Sequence, residues 1–125
     1  MSSQSFIKTF RRVCTDIEVS CFDREDIGFA KEICLIIAEV ISLPDDYTVK
    51  IAGELMPAEL IKEVYRLITH EHVKLVMENF KELNYIIKHK KAYLRTALYN
   101  VVFEMEGHWL NQLGIDLSVG GADSI

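Results

Sequence analysis

The stretch Ile27-Gly28-Phe29-Ala30-Lys31-Glu32-Ile33-Cys34-Leu35-Ile36-Ile37-Ala38-Glu39-Val40-Ile41-Ser42-Leu43 decides the fold. Read at helical spacing, its apolar residues cover nearly the whole circumference, and only Lys31, Glu32, Glu39 and Ser42 keep a narrow polar stripe. A helix that is apolar on almost every side must be surrounded by other elements, so this one is expected at the centre of a bundle. Its start is marked by Asp23, a good cap, followed by Glu25 and Asp26, whose charge complements the positive end of the helix dipole. Its end is marked by Pro44-Asp45-Asp46, because proline disfavours a helical Leu43 and the aspartates favour a turn. The longest unbroken apolar run, Ile33 to Ala38, is far shorter than the ~20 residues that span a bilayer.

Elements that could surround this helix follow on both sides. Tyr47-Thr48-Val49-Lys50-Ile51 alternates apolar and polar residues, Ala52-Gly53-Glu54 supplies a turn, and Leu55-Met56-Pro57 follows, which together predict a small β-hairpin. An isolated hairpin is marginal in water, so it must lean on the helices. Pro57 suits the first position of a helix in which Leu60, Ile61, Val64, Tyr65 and Ile68 repeat at helical spacing. Thr69 is placed to cap a further helix, Glu71 to about Leu83, with Val73, Val76, Met77 and Phe80 on one face. The last strong helix runs from about Lys90 to Met105, with Ala92, Tyr93, Ala97, Leu98, Val101, Val102 and Met105 inward and Gly107 placed to stop it. Trp109, Leu110, Leu113, Ile115 and Leu117 could add a turn packed on the body, and residues 118–125 read as a loose tail. At the other end, Phe6, Ile7, Phe10, Val13 and Cys14 form an amphipathic helical stripe, while Asp16 to Phe22 reads as an extended connector or short strand. The expected fold is mainly α: one domain over residues 1–125, a compact bundle of about five helices with a small hairpin insertion.

Composition narrows the function. With 125 residues, half of them apolar and about a quarter charged, the chain can bury a real core. Fourteen Lys and Arg against 19 Asp and Glu give a net charge of −5, a field that repels phosphates except where cations are concentrated. Met1-Ser2-Ser3-Gln4-Ser5 lacks the features of a secretory signal, and a cytoplasmic protein is expected. Cys14, Cys21 and Cys34 are odd in number and lack CxxC spacing, which favours buried free thiols over a disulfide framework or a zinc site.

No catalytic or cofactor constellation emerges. His70-Glu71-His72 is the tightest histidine cluster, yet residues at i and i+2 of a helix point about 200° apart and cannot share an ion, so a solvated helix start is expected. Nucleophile elbows, phosphate-cradling glycine loops and nucleotide-binding fingerprints are absent from the sequence. Its dense positive segment is Lys88-His89-Lys90-Lys91 with Arg95, where Lys88, Lys91 and Arg95 would share a helical face and Tyr85, Tyr93 and Tyr99 stand nearby. A solvated charge run is the plainer explanation. Positive charge at a helix N-terminus is nonetheless unfavourable, which argues for a contact role.

Three stretches carry a resemblance: Ile51 to Glu59 (IAGELMPAE), Leu67 to Val73 (LITHEHV) and, most specifically, Lys91 to Asn100 (KAYLRTALYN). They resemble the C-terminal domain of replication initiator A proteins from plasmids and conjugative elements of Firmicutes. The similarity is carried from about Asp26 to Asn100, within a region, residues 16–105, corresponding to that domain; the helix is also distantly similar to DnaD-like primosomal C-terminal domains. In such initiators a separate winged helix binds the origin, and this chain has no room for one. It would be an excised domain or a freestanding relative, and origin recognition is not carried over. The Glu104-Met105-Glu106-Gly107-His108-Trp109 stretch has no counterpart.

The absence of a catalytic, cofactor or metal constellation and the resemblance together lead to the expectation of a non-catalytic adaptor contacting host replication proteins such as a primase, helicase loader or initiator, with DNA secondary, and without cofactor or metal. Candidate contact residues are Lys88, Lys90, Lys91, Arg95, Thr96 and Asn100, whereas Tyr93, Leu94, Ala97, Leu98 and Tyr99 read first as packing residues. Two other readings are a nucleic-acid-binding module using the patch at 88–95, and a self-associating scaffold using Trp109 and the apolar C-terminal residues.

Overall fold

A computed structural model describes Ser3 to Gln112, with side chains through Met105. Among the described residues, five α-helices and one two-stranded antiparallel sheet make up the fold: α1 (Ser3–Ile17), α2 (Ile27–Ile41), β1 (Thr48–Ile51), β2 (Glu54–Pro57), α3 (Ala58–Tyr65), α4 (His70–Lys81) and α5 (Lys90–Gln112). Helix α2 packs against all four other helices, and its Ala30, Ile33, Cys34, Ile36, Ile37, Ala38 and Val40 are buried. The near-continuous apolar circumference is satisfied by this encirclement. Glu32 and Glu39 stay on its outer stripe. Among the described residues, no helix is long and apolar enough to cross a membrane.

The hairpin follows from two residues. Ala52 (φ 52°) and Gly53 (φ 85°) both lie in the left-handed region, as a two-residue turn matched to strand twist demands. Val49 and Ile51 point into the core while Thr48 and Lys50 face outward, and Ala58 N–H donates to the Tyr47 carbonyl at 2.9 Å to tie the hairpin to α3. Pro57 closes β2 in an extended conformation one residue before α3, rather than occupying its first turn. At the far end of α2, Lys62 Nζ donates to the Leu43 carbonyl and to Asp45 Oδ1, both at 2.8 Å, placing a cation at the negative end of the helix dipole.

Several local expectations need correction. Asp16 and Ile17 belong to α1, and Val19–Cys21 forms a 3-10 turn instead of a strand, because Ile17 and Val19 find core contacts that an extended connector would leave exposed. Asp23 precedes another 3-10 turn, Arg24–Asp26, which runs directly into α2. Cys34 is buried, Cys14 half-buried and Cys21 exposed, so only part of the thiol expectation holds. Helix α5 passes through Gly107 to Gln112; glycine in a helix interior costs about 1 kcal/mol, which its helical neighbours can outweigh. Within α5, Ala92 is exposed, and the buried row is Leu94, Leu98, Val101 and Val102. The expected packing of Trp109, Leu110, Leu113, Ile115 and Leu117, the loose tail at 118–125 and the scaffold reading built on Trp109 lie outside the described residues and side chains.

Candidate partner interface

The first three turns of α5 position most of the candidate contact residues. Leu94 and Leu98, both fully buried, fix the rotation of the helix against the core. Tyr65, buried on α3, adds a directional restraint: its hydroxyl donates to the Arg95 carbonyl at 2.7 Å. Burial pushes the Tyr65 hydroxyl well above its ordinary pKa, outweighing the opposite pull of the Arg95 charge.

With the helix held this way, the six candidates diverge. Lys88 precedes the helix and is exposed, so it cannot share a helical face with Lys91 and Arg95 as the spacing suggested. Lys90 Nζ reaches Glu32 Oε1 at 3.1 Å and sits over the Phe29 and Phe80 rings at 4.6 and 5.1 Å. Lys91 Nζ reaches Glu39 Oε1 at 2.7 Å. These two carboxylates of α2 offset the unfavourable cations in the first turn of α5, so the local electrostatic penalty is relieved within the chain. Thr96 Oγ1 accepts the Ala52 N–H at 3.0 Å and holds the hairpin turn. Asn100 is exposed, beside a cleft of about 190 Å³ between α4 and α5 that Asn79, Tyr93, Thr96 and Glu104 also line.

Arg95, half-buried, lies on the hairpin side of α5. Its side chain lines a groove of about 350 Å³ with Glu39, Val40 and Leu43 on one side and Thr48, Val49 and Lys50 of β1 on the other. Among the described residues neither Arg95 nor Lys50 has an ion-pair partner. Lys50 was absent from the sequence-derived set; its outward position could be read from strand alternation, but its approach to Arg95 depends on how the hairpin docks on α5.

His70 and His72 have local roles. The His70 ring donates from Nδ1 to the Ile17 carbonyl at 2.9 Å and stacks on Phe22 at 4.2 Å, correcting the expectation of a merely solvated residue. His72 Nδ1 accepts the Thr69 N–H at 2.9 Å, completing a capping box at the start of α4. Among the described residues, no group of three or more His, Cys, Asp and Glu side chains is placed to hold a metal ion.

The molecule is thus a mainly helical domain in which one helix, α5, carries a groove on its hairpin side and a cleft on its α4 side. The chain belongs to the DUF6017 family, a family of unknown function, which it matches over residues 1–120. No curated protein and no solved structure matches it.

Proposed function

We propose that the chain is a non-catalytic adaptor domain in the DNA replication of a plasmid or mobile element, contacting a host primase, helicase loader or initiator. The observation that carries the reading is the Lys91–Asn100 stretch, which resembles the corresponding helix of replication initiator A proteins. Its buried residues account for the packing half of that pattern, while Arg95 and Asn100 border open surfaces on opposite sides.

A protein partner is favoured over DNA on electrostatic grounds. Within the candidate patch, Lys90 and Lys91 are neutralised by Glu32 and Glu39, which leaves Lys88 and Arg95 to displace the counterions of a duplex, and the chain is acidic overall. Titration calorimetry of the full chain against purified host primase, helicase loader and initiator tests the proposal. Saturable binding to one of them supports it, and no heat with any of the three rejects it. DNA anisotropy provides the counter-test: steeply salt-dependent binding lost in Lys90→Glu/Lys91→Glu would favour the nucleic-acid reading instead.

A further inference from the structure

The pairing of the hairpin fixes where each backbone group of β1 points. In an antiparallel ladder closed by a two-residue turn, the residues flanking the turn exchange both hydrogen bonds, and alternate residues beyond them do the same. Ile51 opposes Glu54 and Val49 opposes Met56. One step further out, Ala58 N–H donates to the Tyr47 carbonyl, placing the odd-numbered residues in the bonded set. The N–H and C=O groups of Thr48 and Lys50 therefore point away from β2, along the free edge of β1.

The next residue in that outward series is Ala52, and its N–H is already taken by Thr96 Oγ1. Thr48 and Lys50 have no corresponding backbone partner among the described residues. Their edge opens onto the groove bounded by Val40, Leu43 and Arg95. An unpaired strand edge beside a groove is the arrangement by which folded domains capture extended peptides.

We propose that this edge receives an extended acidic segment of a partner protein as a third strand. This rests on the adaptor reading above and names the chemistry of the partner. The Thr48 and Lys50 backbones offer acceptors as well as donors, which match a peptide backbone; their carbonyls would repel phosphate. Arg95 and Lys50 border the same groove without ion partners, while Glu39 is neutralised by Lys91, so an acidic side chain is selected. The same two cations disfavour a second copy of this chain, since edge-to-edge pairing of two β1 strands would bring like charges together. Half-buried Leu43 gives the segment an apolar contact at one end of the groove.

The test is a nitrogen-15 NMR titration of the full chain with an octapeptide alternating valine and glutamate, its valine–lysine counterpart and an oligothymidylate. The acidic peptide is expected to shift the Thr48 and Lys50 amides and slow their hydrogen exchange, with the lysine peptide about tenfold weaker or worse. Arg95→Glu should weaken the acidic peptide about tenfold. Lys50→Pro should abolish its binding, because proline removes only an outward N–H that the hairpin ladder does not use, whereas Lys50→Gln should keep most of it. If Lys50→Pro disturbs the Val49 and Met56 amides before titration, the Arg95→Glu result decides.

Equal binding of both peptides, shifts confined to other surfaces, or unaltered affinity in an intact Lys50→Pro chain would each overturn the proposal. So would light scattering that shows a dimer burying these amides, or an oligothymidylate that shifts them more strongly than the peptide. Acidic-peptide binding with no response to the replication proteins would keep this edge and remove the replication reading; the reverse pattern would do the opposite.

Discussion

Replacing Tyr65 by phenylalanine removes one hydrogen bond and almost no volume, which allows its effect to be worked out. Tyr65 is 1% exposed, and its hydroxyl donates to the Arg95 carbonyl at 2.7 Å. That carbonyl lies inside α5, where the helical ladder provides another donor, so the substitution leaves no unpaired acceptor. The loss near neutral pH should be about 1 kcal/mol, or roughly 3–5 °C in Tm for a domain of this size. Alkaline pH should reverse the order. Burial holds the folded hydroxyl above its ordinary value of 10.0, so above that pH the unfolded chain binds fewer protons than the folded one and stability falls as pH rises. The fall for one such group reaches about 1.4 kcal/mol at pH 11. Tyr65→Phe lacks it, and the exposed tyrosines and Cys34 are common to both chains and cancel. The two stabilities should therefore cross at about pH 10.7, where the alkaline loss equals the hydrogen-bond gain. Urea denaturation of both chains at intervals from pH 7 to 11 provides the measurement. A difference that stays constant across that range would refute the reasoning, because Tyr65 would then ionise as readily folded as unfolded.

Three other outcomes are expected. Ala52→Asn should stabilise the chain by about 0.5–1 kcal/mol in chemical denaturation, since asparagine tolerates the left-handed φ of 52° better than alanine. Asp45 is held below its ordinary 3.8 by the hydrogen bond and charge of Lys62, so its contribution is present above that pH and lost as pH falls through the lowered value; Asp45→Asn should flatten the acid limb of a stability–pH curve. Toward a thiol-specific reagent at pH 8, exposed Cys21 should react promptly, whereas Cys34, its pKa pushed up to about 12 chiefly by burial and secondarily by Cys14, should react only on unfolding; equal rates in a time-resolved absorbance assay would contradict the packing of α1 on α2.

The central helix was legible because its signal is local: an apolar circumference at residues 27–43 can be satisfied in few ways, and the chain surrounds it. The hairpin and the Thr69 cap were legible for the same reason, each depending on residues within a few positions of one another. Gly107 misled because a helix-stopping glycine and a tolerated interior one look alike unless the next turn is known. The candidate interface was less legible. Nothing in the run Lys88 to Arg95 tells that Glu32 and Glu39, more than 50 residues earlier, face Lys90 and Lys91. Whether a cation is free or paired is a property of packing, and the local pattern gave only the charge.

Packing also explains why Arg95, among the candidates, has a defined relation to the hairpin. Its own carbonyl is fixed by Tyr65 of α3, and the next residue, Thr96, is fixed to Ala52 at the hairpin turn. Two consecutive residues of α5 thus anchor it to the core on one side and to the end of β1 on the other. The Arg95 side chain can change rotamer, but the distance between its Cα and the β1 edge cannot change much without breaking one of these bonds. The groove is accordingly preorganised, and a strand entering it would order mainly its own backbone. Thr96, singled out from sequence as a possible contact residue, would act indirectly by closing the inner end of the edge at Ala52 and leaving Thr48 and Lys50 as the part still open.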